Sequence, residues 1–182
     1  AESTTVSWHA VPHVTQFDKA DITGLQPFFD RNAARVAAAG GKLTVTAVLT
    51  KICAEALARN PQFNASIDMQ RGVLIMKSYV NIGIAVDTPA GLFMPVIFNA
   101  ERKSISALSV EIVDLAQRAR DRKIKPGELE GGTFSISNQG GIGGVAFTPI
   151  VLWPQVAILG VSRSAVEPVA QGDTFVPRTM LP

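Results

Sequence analysis

Residues 131–150, GGTFSISNQGGIGGVAFTPI, decide which α/β architecture this sequence adopts. The segment holds six glycines and no charged residue, and it separates two strand-like runs, TFSIS and VAILGVS. Its GIGGVA run satisfies the G-x-G-x-x-G/A pattern of dinucleotide-binding folds, which requires a helix to start at the glycines. Pro149 and Pro154 are incompatible with that helix, because proline lacks an N–H and clashes with the preceding turn. The segment therefore predicts a strand, a glycine-rich loop and a second strand.

Strand-length runs rich in β-branched and aromatic residues alternate irregularly with amphipathic helices. The predicted strands are VPHVTQFDKADI, GVLIMK, YVNIGIAVD, LFMPVIF, TFSIS and VAILGVS. Helices are predicted over residues 23–39, over LTVTAVLTKICAEALAR with a stop at Asn60-Pro61, and from an N-cap at Ser104 to a stop at Lys125-Pro126-Gly127. Because there is no regular βαβ alternation, the sequence predicts an α/β two-layer sandwich with a mixed sheet.

Composition restricts the class of protein and its partners. The 182 residues fit one domain, and 47% apolar against 18% charged residues suggests surface that is covered by association. A net charge of +2, with no basic cluster longer than RARDRK at 118–123, argues against a nucleic-acid partner. No apolar run has the length of a membrane span, and no export signal is recognisable. With a single cysteine, these features predict a cytoplasmic protein, or a mitochondrial matrix protein in a eukaryote.

The sequence offers few candidates for a reactive thiol or a metal site. Cys53 lies on the predicted buried stripe of its helix, with no base nearby, so we interpret it as a core residue rather than a nucleophile. That stripe comprises Val48, Leu49, Ile52, Cys53, Ala56 and Leu57. His9 and His13 have helical zinc-site spacing, but Pro12 lies between them and no further ligand cluster follows. We therefore expect no metal.

Two serines on one predicted strand are the main candidates for chemistry. Ser135 and Ser137 share a face by strand alternation, whereas Phe134 and Ile136 point into the core. One interpretation is that both are polar residues of a half-exposed strand. The other is that one hydroxyl donates a hydrogen bond to negative charge that develops during a reaction. The residues alone leave both open.

A family resemblance favours the second interpretation. The runs FSISNQGGIGGVAFTPI and PQVAILGVSR resemble the active-site strand and glycine loop of the dihydrolipoamide acyltransferase catalytic domain, the core of 2-oxo acid dehydrogenase complexes. The similarity extends through VPHVTQFDKADIT, NPQFNASID and NIGIAVDTPAGLFMPVI, in family order. PHVTQFDKADIT and AFTPI lean toward the pyruvate branch, whose enzyme transfers acetyl groups. The resemblance implies the trimeric fold of chloramphenicol acetyltransferase.

The same resemblance implies a chemistry. The coenzyme A thiol attacks the thioester of an acyl group on a dihydrolipoyl arm, and both are substrates rather than bound cofactors. Ser137 stabilises the resulting oxyanion by its motif position, and Asn138, Phe147 and Leu159 are the expected substrate-binding residues. The implied site lies between subunits of a homotrimer, and trimers can build a larger cage. Lipoyl domains and the other subunits of the dehydrogenase complex are the expected partners.

One family feature is missing from residues 1–182. The family's general base belongs to an H-x-x-x-D-G motif shortly after the equivalent of RTMLP, and neither His9 nor His13 starts that motif. We therefore expect residues 1–182 to be an acyltransferase core domain that is incomplete at both ends and inactive alone. A non-catalytic structural core or docking subunit is the main alternative, and an unrelated thioester-binding module is a third. Asp87, before a Thr-Pro-Ala-Gly turn, is predicted to fix that turn.

Overall fold

The structure is a computed structural model, and it describes residues 2–68 and 70–182. Its helices are α1 (Glu2–Ala10), α2 (Leu25–Ala38), α3 (Val45–Arg59) and α4 (Ile105–Arg120), with short 3-10 turns at Pro61–Phe63, Ala100–Arg102 and Pro126–Glu128. Its strands are β1 (Ala20–Asp21), β2 (Ala65–Asp68), β3 (Val73–Met76), β4 (Ile82–Ile84), β5 (Val86–Thr88), β6 (Gly91–Phe93), β7 (Val96–Ile97), β8 (Phe134–Asn138), β9 (Ile158–Val161), β10 (Ala165–Gln171) and β11 (Thr174–Leu181).

The central sheet is mixed, as predicted. Its order is β7-β4-β8-β9, with β4 antiparallel to β7 and parallel to β8, and β8 parallel to β9. Strand β8, which carries both candidate serines, therefore lies inside the sheet, and β9 forms its edge. Three smaller antiparallel units accompany this sheet: β2 with β3, β5 with β6, and β11 between β1 and β10.

Helices α3 and α4 form the second layer on one face of the central sheet. Their caps follow the sequence: the Thr44 and Ser104 hydroxyls accept from backbone N–H groups three residues later, at 3.2 Å each. Buried residues of both helices join the alternate residues of β4 and β8 in one apolar cluster. Its members include Ala54, Leu57, Leu108, Leu115, Ile82, Ile84, Ile97, Phe134 and Ile136. Because successive residues of a strand point to opposite faces of the sheet, Gly83, Ser135 and Ser137 lie on the face away from these helices.

The predicted stripe of α3 is only partly correct. Val48 and Leu57 are buried, and Cys53 packs partly against the core, but Ile52 is 54% exposed. Ala56 is also exposed. The buried side of α3 is instead centred on Ala47, Thr50 and Ala54, because α4 packs beside it and admits small side chains there.

One strand prediction is wrong near the start of the chain, and one hairpin near its end was predicted only in part. The run at residues 11–22 forms a strand only over Ala20–Asp21, and the remainder crosses the surface without regular pairing. In the hairpin of β10 and β11, the strand-like character of TFVPRTMLP at residues 174–182 is confirmed by β11, whereas β10 was not predicted. Pro168 and Pro177 interrupt the two runs of the hairpin, yet the structure places these prolines opposite each other, which confines the missing N–H groups to one rung.

The chain exposes more surface than a compact monomer of its mass. Its accessible surface is 11022 Å² at 19.3 kDa, whereas monomeric proteins of that mass expose about 8,500 Å². Apolar side chains contribute, since Val14, Ile142, Val145 and Phe175 are each more than 70% exposed. No helix in the described part of the chain is long and apolar enough to span a membrane.

Candidate active site

The two serines of β8 lie in different environments. Ser135 is fully buried, and its hydroxyl donates to Oε1 of Gln155 at 2.7 Å. Gln155 in turn donates through Nε2 to the Gly132 carbonyl at 3.2 Å. Ser137 is half-buried, and its hydroxyl has no hydrogen-bond partner among residues 2–68 and 70–182. Ser135 is therefore part of the packing, whereas Ser137 keeps a free donor.

A tight turn follows Ser137 directly. The Asn138 side chain closes it from within, because its Oδ1 accepts from the Gly140 N–H at 2.8 Å and its Nδ2 donates to Thr46 Oγ1 at 3.0 Å. The Gln139 carbonyl accepts from the N–H groups of Ile142 and Gly143, at 2.9 and 3.1 Å. Asn138 therefore links the end of β8 to the first turn of α3 and has a structural role visible within this chain.

Phe147 packs over Gly160, the residue that neighbours Ser137 in the sheet. Gly160 on β9 is the register partner of Ser137, and a Cβ at Gly160 would lie 3.1 Å from Phe147 and 3.2 Å from Pro149. Those contacts are tighter than ordinary van der Waals packing, so the absence of a side chain at Gly160 is what admits the Phe147 ring. The returning loop therefore packs on the sheet beside the free serine hydroxyl.

A cleft of about 1090 Å³ runs along the edge of β9 and reaches both Phe147 and Leu159. Its opposite wall is the irregular segment 13–20. Leu159 pairs with Ile136 and packs against the core, so it faces the helices, whereas Phe147 covers Gly160 on the other face. The walls of the cleft do not include Ser137 or Asn138, which belong to the next strand inward. The four predicted site residues thus fall into two groups: Ser137 and Asn138 at the end of β8, and Phe147 and Leu159 in the cleft.

The histidines do not supply a base beside Ser137. His13 uses both ring nitrogens: Nδ1 donates to the Val11 carbonyl at 2.7 Å, and Nε2 accepts from the Val151 N–H at 2.8 Å. These bonds fix the tautomer and attach the N-terminal segment to the loop that follows β8. His9 lies on the exposed side of α1, outside the cleft.

The other candidates are structural or isolated. Burial raises the pKa of the Cys53 thiol to about 11, which disfavours the nucleophilic thiolate. Within the described ranges, no group of three His, Cys, Asp or Glu side chains is arranged to hold a metal ion. Asp87 does not fix its turn as predicted, because it is exposed and accepts no hydrogen bond from a described residue. Thr88 holds the turn instead, donating to the Gly91 carbonyl at 2.7 Å and accepting from the Ala90 N–H at 3.2 Å.

Two residues near the serine were not predicted from the sequence. Gln155 holds Ser135, and Arg163 donates to the carbonyls of Gly140 and Gly141 at 3.0 and 3.2 Å. Arg163 lies 23 and 22 positions from its partners Gly140 and Gly141, and Gln155 lies 20 positions from Ser135. No local sequence pattern therefore connects these residues. The PQVAILGVSR run carries both residues, and its position one strand after β8 is the available signal.

The two-layer sandwich is the fold of chloramphenicol acetyltransferase. Chloramphenicol acetyltransferase superposes with a TM-score of 0.51 at 13% identity, over 99% of this chain and 83% of that chain, which establishes similarity of fold alone. This confirms the fold class predicted from the sequence.

The family is defined by closer similarities. Residues 1–182 match the 2-oxoacid dehydrogenases acyltransferase (catalytic domain) family, and the chain belongs to it. It is 50% identical to the dihydrolipoyllysine-residue acetyltransferase component of the pyruvate dehydrogenase complex of Pseudomonas aeruginosa and 51% identical to that of Azotobacter vinelandii, each over 97% of this chain. The chain spans 32% and 28% of the lengths of those two proteins. The family resemblance noted in the sequence is thereby confirmed.

Solved structures agree. The chain superposes with a TM-score of 0.96, at 49% identity over 99% of this chain and 74% of the other, on a structure concerned with the role of a serine, a histidine and an asparagine in the catalytic mechanism of the Azotobacter vinelandii dihydrolipoamide acetyltransferase. The same values hold for the cubic core of the pyruvate dehydrogenase multienzyme complex.

Proposed function

We propose that this chain takes part in acyl transfer, with acetyl as the acyl group, between dihydrolipoamide and coenzyme A in a 2-oxo acid dehydrogenase complex. The observation that carries the proposal is the Ser137 hydroxyl. It is half-buried, and it lacks a hydrogen-bond partner among the described residues. It lies between Ser135, whose hydroxyl is already bonded to Gln155, and the glycine turn. The acetyltransferase relatives supply the reaction class.

The chemistry requires no nucleophile from the protein. The thiol of coenzyme A loses its proton and attacks the thioester carbonyl carbon, so that a C–S bond forms and the carbonyl oxygen becomes an oxyanion. Collapse of this tetrahedral species breaks the original C–S bond and releases dihydrolipoamide, whose sulfur takes up a proton. A neutral hydroxyl suits the oxyanion, because it donates strongly to developing charge without binding the neutral carbonyl equally well. Ser137 is the proposed donor.

The remaining predicted residues divide between positioning and substrate contact. Asn138 keeps the end of β8 in place through Thr46 and Gly140. Phe147 and Leu159 belong to the apolar cleft along β9, and we propose that the cleft admits an acyl or pantetheine-like chain. Coenzyme A and the lipoyl arm act as substrates in this proposal, with no covalently bound cofactor.

We propose a homotrimer as the assembly, with each site completed by a neighbouring subunit. The surface of 11022 Å², well above that of a compact monomer of this mass, supports association. The similarity to a cubic core supports a larger cage. The proposed partners are the lipoyl domains and the other subunits of the dehydrogenase complex.

The general base is not among residues 1–182 in this proposal. Both ring nitrogens of His13 are occupied, and His9 is exposed on α1. These residues thus hold the oxyanion half of a site, and alone they lack a base whose contribution is typically about 10²–10⁴-fold in rate. The second candidate function is a non-catalytic core or docking subunit.

Substitution of Ser137 tests the catalytic proposal. In the protein as its gene encodes it, Ser137→Ala should lower kcat for acetyl transfer by about 10²–10³-fold, because one oxyanion donor is lost. The KM values for coenzyme A and dihydrolipoamide should change little, since the bond forms in the transition state. Thioester absorbance follows the reaction.

Ser164, an exposed serine after β9, provides the control, and Ser164→Ala should retain the parent kcat. Ser135 is unsuitable as a control, because its hydroxyl is buried and bonded. A nearly unchanged kcat in Ser137→Ala would remove Ser137 from the mechanism. A parent protein without transferase activity, in the presence of both substrates, would instead support the non-catalytic candidate.

A further inference from the structure

The backbone turn that leaves β8 after Ser137 is built largely from glycine. Gly140, Gly141 and Gly143 occupy it, and Gly143 has a φ of 116°, a conformation that favours glycine. A Cβ at Gly140 would lie 3.0 Å from Asn138 Oδ1 and 3.3 Å from the Ser162 carbonyl, so a side chain there would require these neighbours to shift. Glycine permits this turn but does not fix it, because glycine loses more conformational entropy on ordering than other residues.

Arg163 closes the turn from outside. Its Nε donates to the Gly140 carbonyl at 3.0 Å and its Nη2 donates to the Gly141 carbonyl at 3.2 Å. The guanidinium also lies 3.5 Å from the position that a Cβ of Gly143 would occupy, so the side chain spans the turn. A planar guanidinium presents its donors in a fixed fork and therefore suits two successive carbonyls.

The arginine is itself attached to the sheet. It follows β9 at the point where the Gln139 N–H donates to the Val161 carbonyl at 2.8 Å and the Ser162 N–H donates to the Pro182 carbonyl at 2.9 Å. The backbone directly before Arg163 is thus fixed to the residue that follows β8 and to the residue that follows β11. A surface arginine without a structural role would extend into solvent, whereas Arg163 donates to two consecutive glycine carbonyls.

We propose that Arg163 is a positioning residue for the transferase reaction: it holds the glycine turn, and through Asn138 it holds the end of β8 that carries Ser137. This inference rests on the proposed function. Arg163 touches neither substrate nor reacting atom in this role, and its effect passes through the orientation of Ser137. Orientation matters because misplacement by about 1 Å can cost about 10²-fold in rate.

Arg163→Ala and Arg163→Lys test the inference in the protein as its gene encodes it. Arg163→Ala should lower kcat by about 10- to 100-fold with nearly unchanged KM values. Arg163→Lys should recover part of that loss, because an ammonium can reach one carbonyl but lacks the fork. Arg102→Ala, at an arginine of the Ala100–Arg102 turn that is 79% exposed, should retain the parent kcat.

Two further measurements separate positioning from a general structural effect. Hydrogen exchange of the Ile142 and Gly143 amides, which donate to the Gln139 carbonyl, should become faster in Arg163→Ala while exchange in α3 and α4 is unchanged. In a double-mutant cycle, Arg163→Ala should have little additional effect on kcat once Ser137 is alanine, because both changes remove the same stabilisation.

The outcomes distinguish this inference from the function on which it rests. If Ser137→Ala is slow but Arg163→Ala has parent kcat or unchanged exchange at the turn, the positioning role is wrong and the proposed function stands. Additive losses in the cycle would also overturn it, since Arg163 would then act independently of Ser137. If Ser137→Ala itself retains full kcat, Ser137 is not the oxyanion donor and the inference about Arg163 falls with it, whereas a parent protein without transferase activity would overturn the proposed function.

Discussion

Ser135 and Ser137 show how two identical residues on one strand face acquire different roles. Ser135 is inside the sheet, opposite Gly83 in register, where its hydroxyl would lie 3.3 Å from a Cβ at Gly83. Its partner is the Gln155 amide, which comes from the returning loop. Ser137 lies two residues closer to the strand end, where the sheet gives way to the glycine turn. The hydroxyl of Ser137 is free because this residue lies nearer the end of the strand than Ser135, and not because the residue types differ.

The Ser135 bond leads to a stability prediction. Ser135→Ala should lower the free energy of unfolding by about 1–3 kcal/mol, because the half-buried Gln155 loses the hydroxyl donor that the fully buried Ser135 supplies. Urea unfolding measures the change.

Ser109 is a matched buried serine for this comparison. It is also fully buried, and its hydroxyl donates to the Ile105 carbonyl at 2.7 Å within α4. Ser109→Ala should be nearly neutral, since that carbonyl keeps its helical bond and alanine favours the helix. Equal costs at both positions would mean that the Gln155 contact contributes nothing specific.

The elements of the fold differ in how well local sequence determines them. The N-cap at Ser104 and the stop at Asn60 were predicted, because the residues that cap a helix lie within one turn of it. The irregular course of segment 11–19 was not, because its partners are remote. His13 bonds to Val151 and Lys19 forms an ion pair with Glu167, 138 and 148 positions away. Such contacts appear only when the chain is folded.

The candidate site was predictable to a similar extent. Strand alternation placed Ser135 and Ser137 on one face, and the family resemblance selected Ser137. The burial of Ser135 and the hydrogen bonds from Arg163 to the glycine turn were not predictable, because each depends on the parallel register of β8 with β9. Register between strands that are separated by a long loop is a property of the folded sheet.

The end of α4 carries a pH-dependent contact. Arg118 donates to Glu128 at 2.7 Å, and this bond, with a further bond from the Lys125 N–H, lowers the pKa of Glu128 from 4.5 to about 2. A carboxyl whose pKa is lower in the folded state stabilises the protein above its unfolded pKa, and the contribution is lost as the pH falls toward the folded value.

Glu128→Gln should therefore be less stable than the parent protein at pH 6 to 7, by a difference that shrinks between about pH 4.5 and pH 2. Free energies of unfolding at several pH values measure it. Glu130→Gln is the control, because Glu130 is exposed and forms no ion pair in the described part of the chain. A stability difference for Glu128→Gln that persists unchanged to pH 2.5 would contradict the assignment.

At the scale of the whole molecule, the surface is the dominant feature. The accessible area exceeds that of a compact monomer by about 2,500 Å². Strand β3 illustrates the excess, because all four of its residues are exposed, from Leu74 at 43% to Met76 at 57%. A strand that exposes apolar residues on both faces is costly for an isolated chain, and self-association reduces this cost.

The purified chain should therefore sediment as a trimer, at three times its mass of 19.3 kDa. Its melting temperature should rise with protein concentration, because association stabilises only the folded state and follows mass action. Sedimentation velocity and calorimetry over a hundredfold concentration range measure both quantities. A 19.3 kDa species at every concentration, with a constant melting temperature, would show that the excess surface is stable in water and that the proposed trimer does not form.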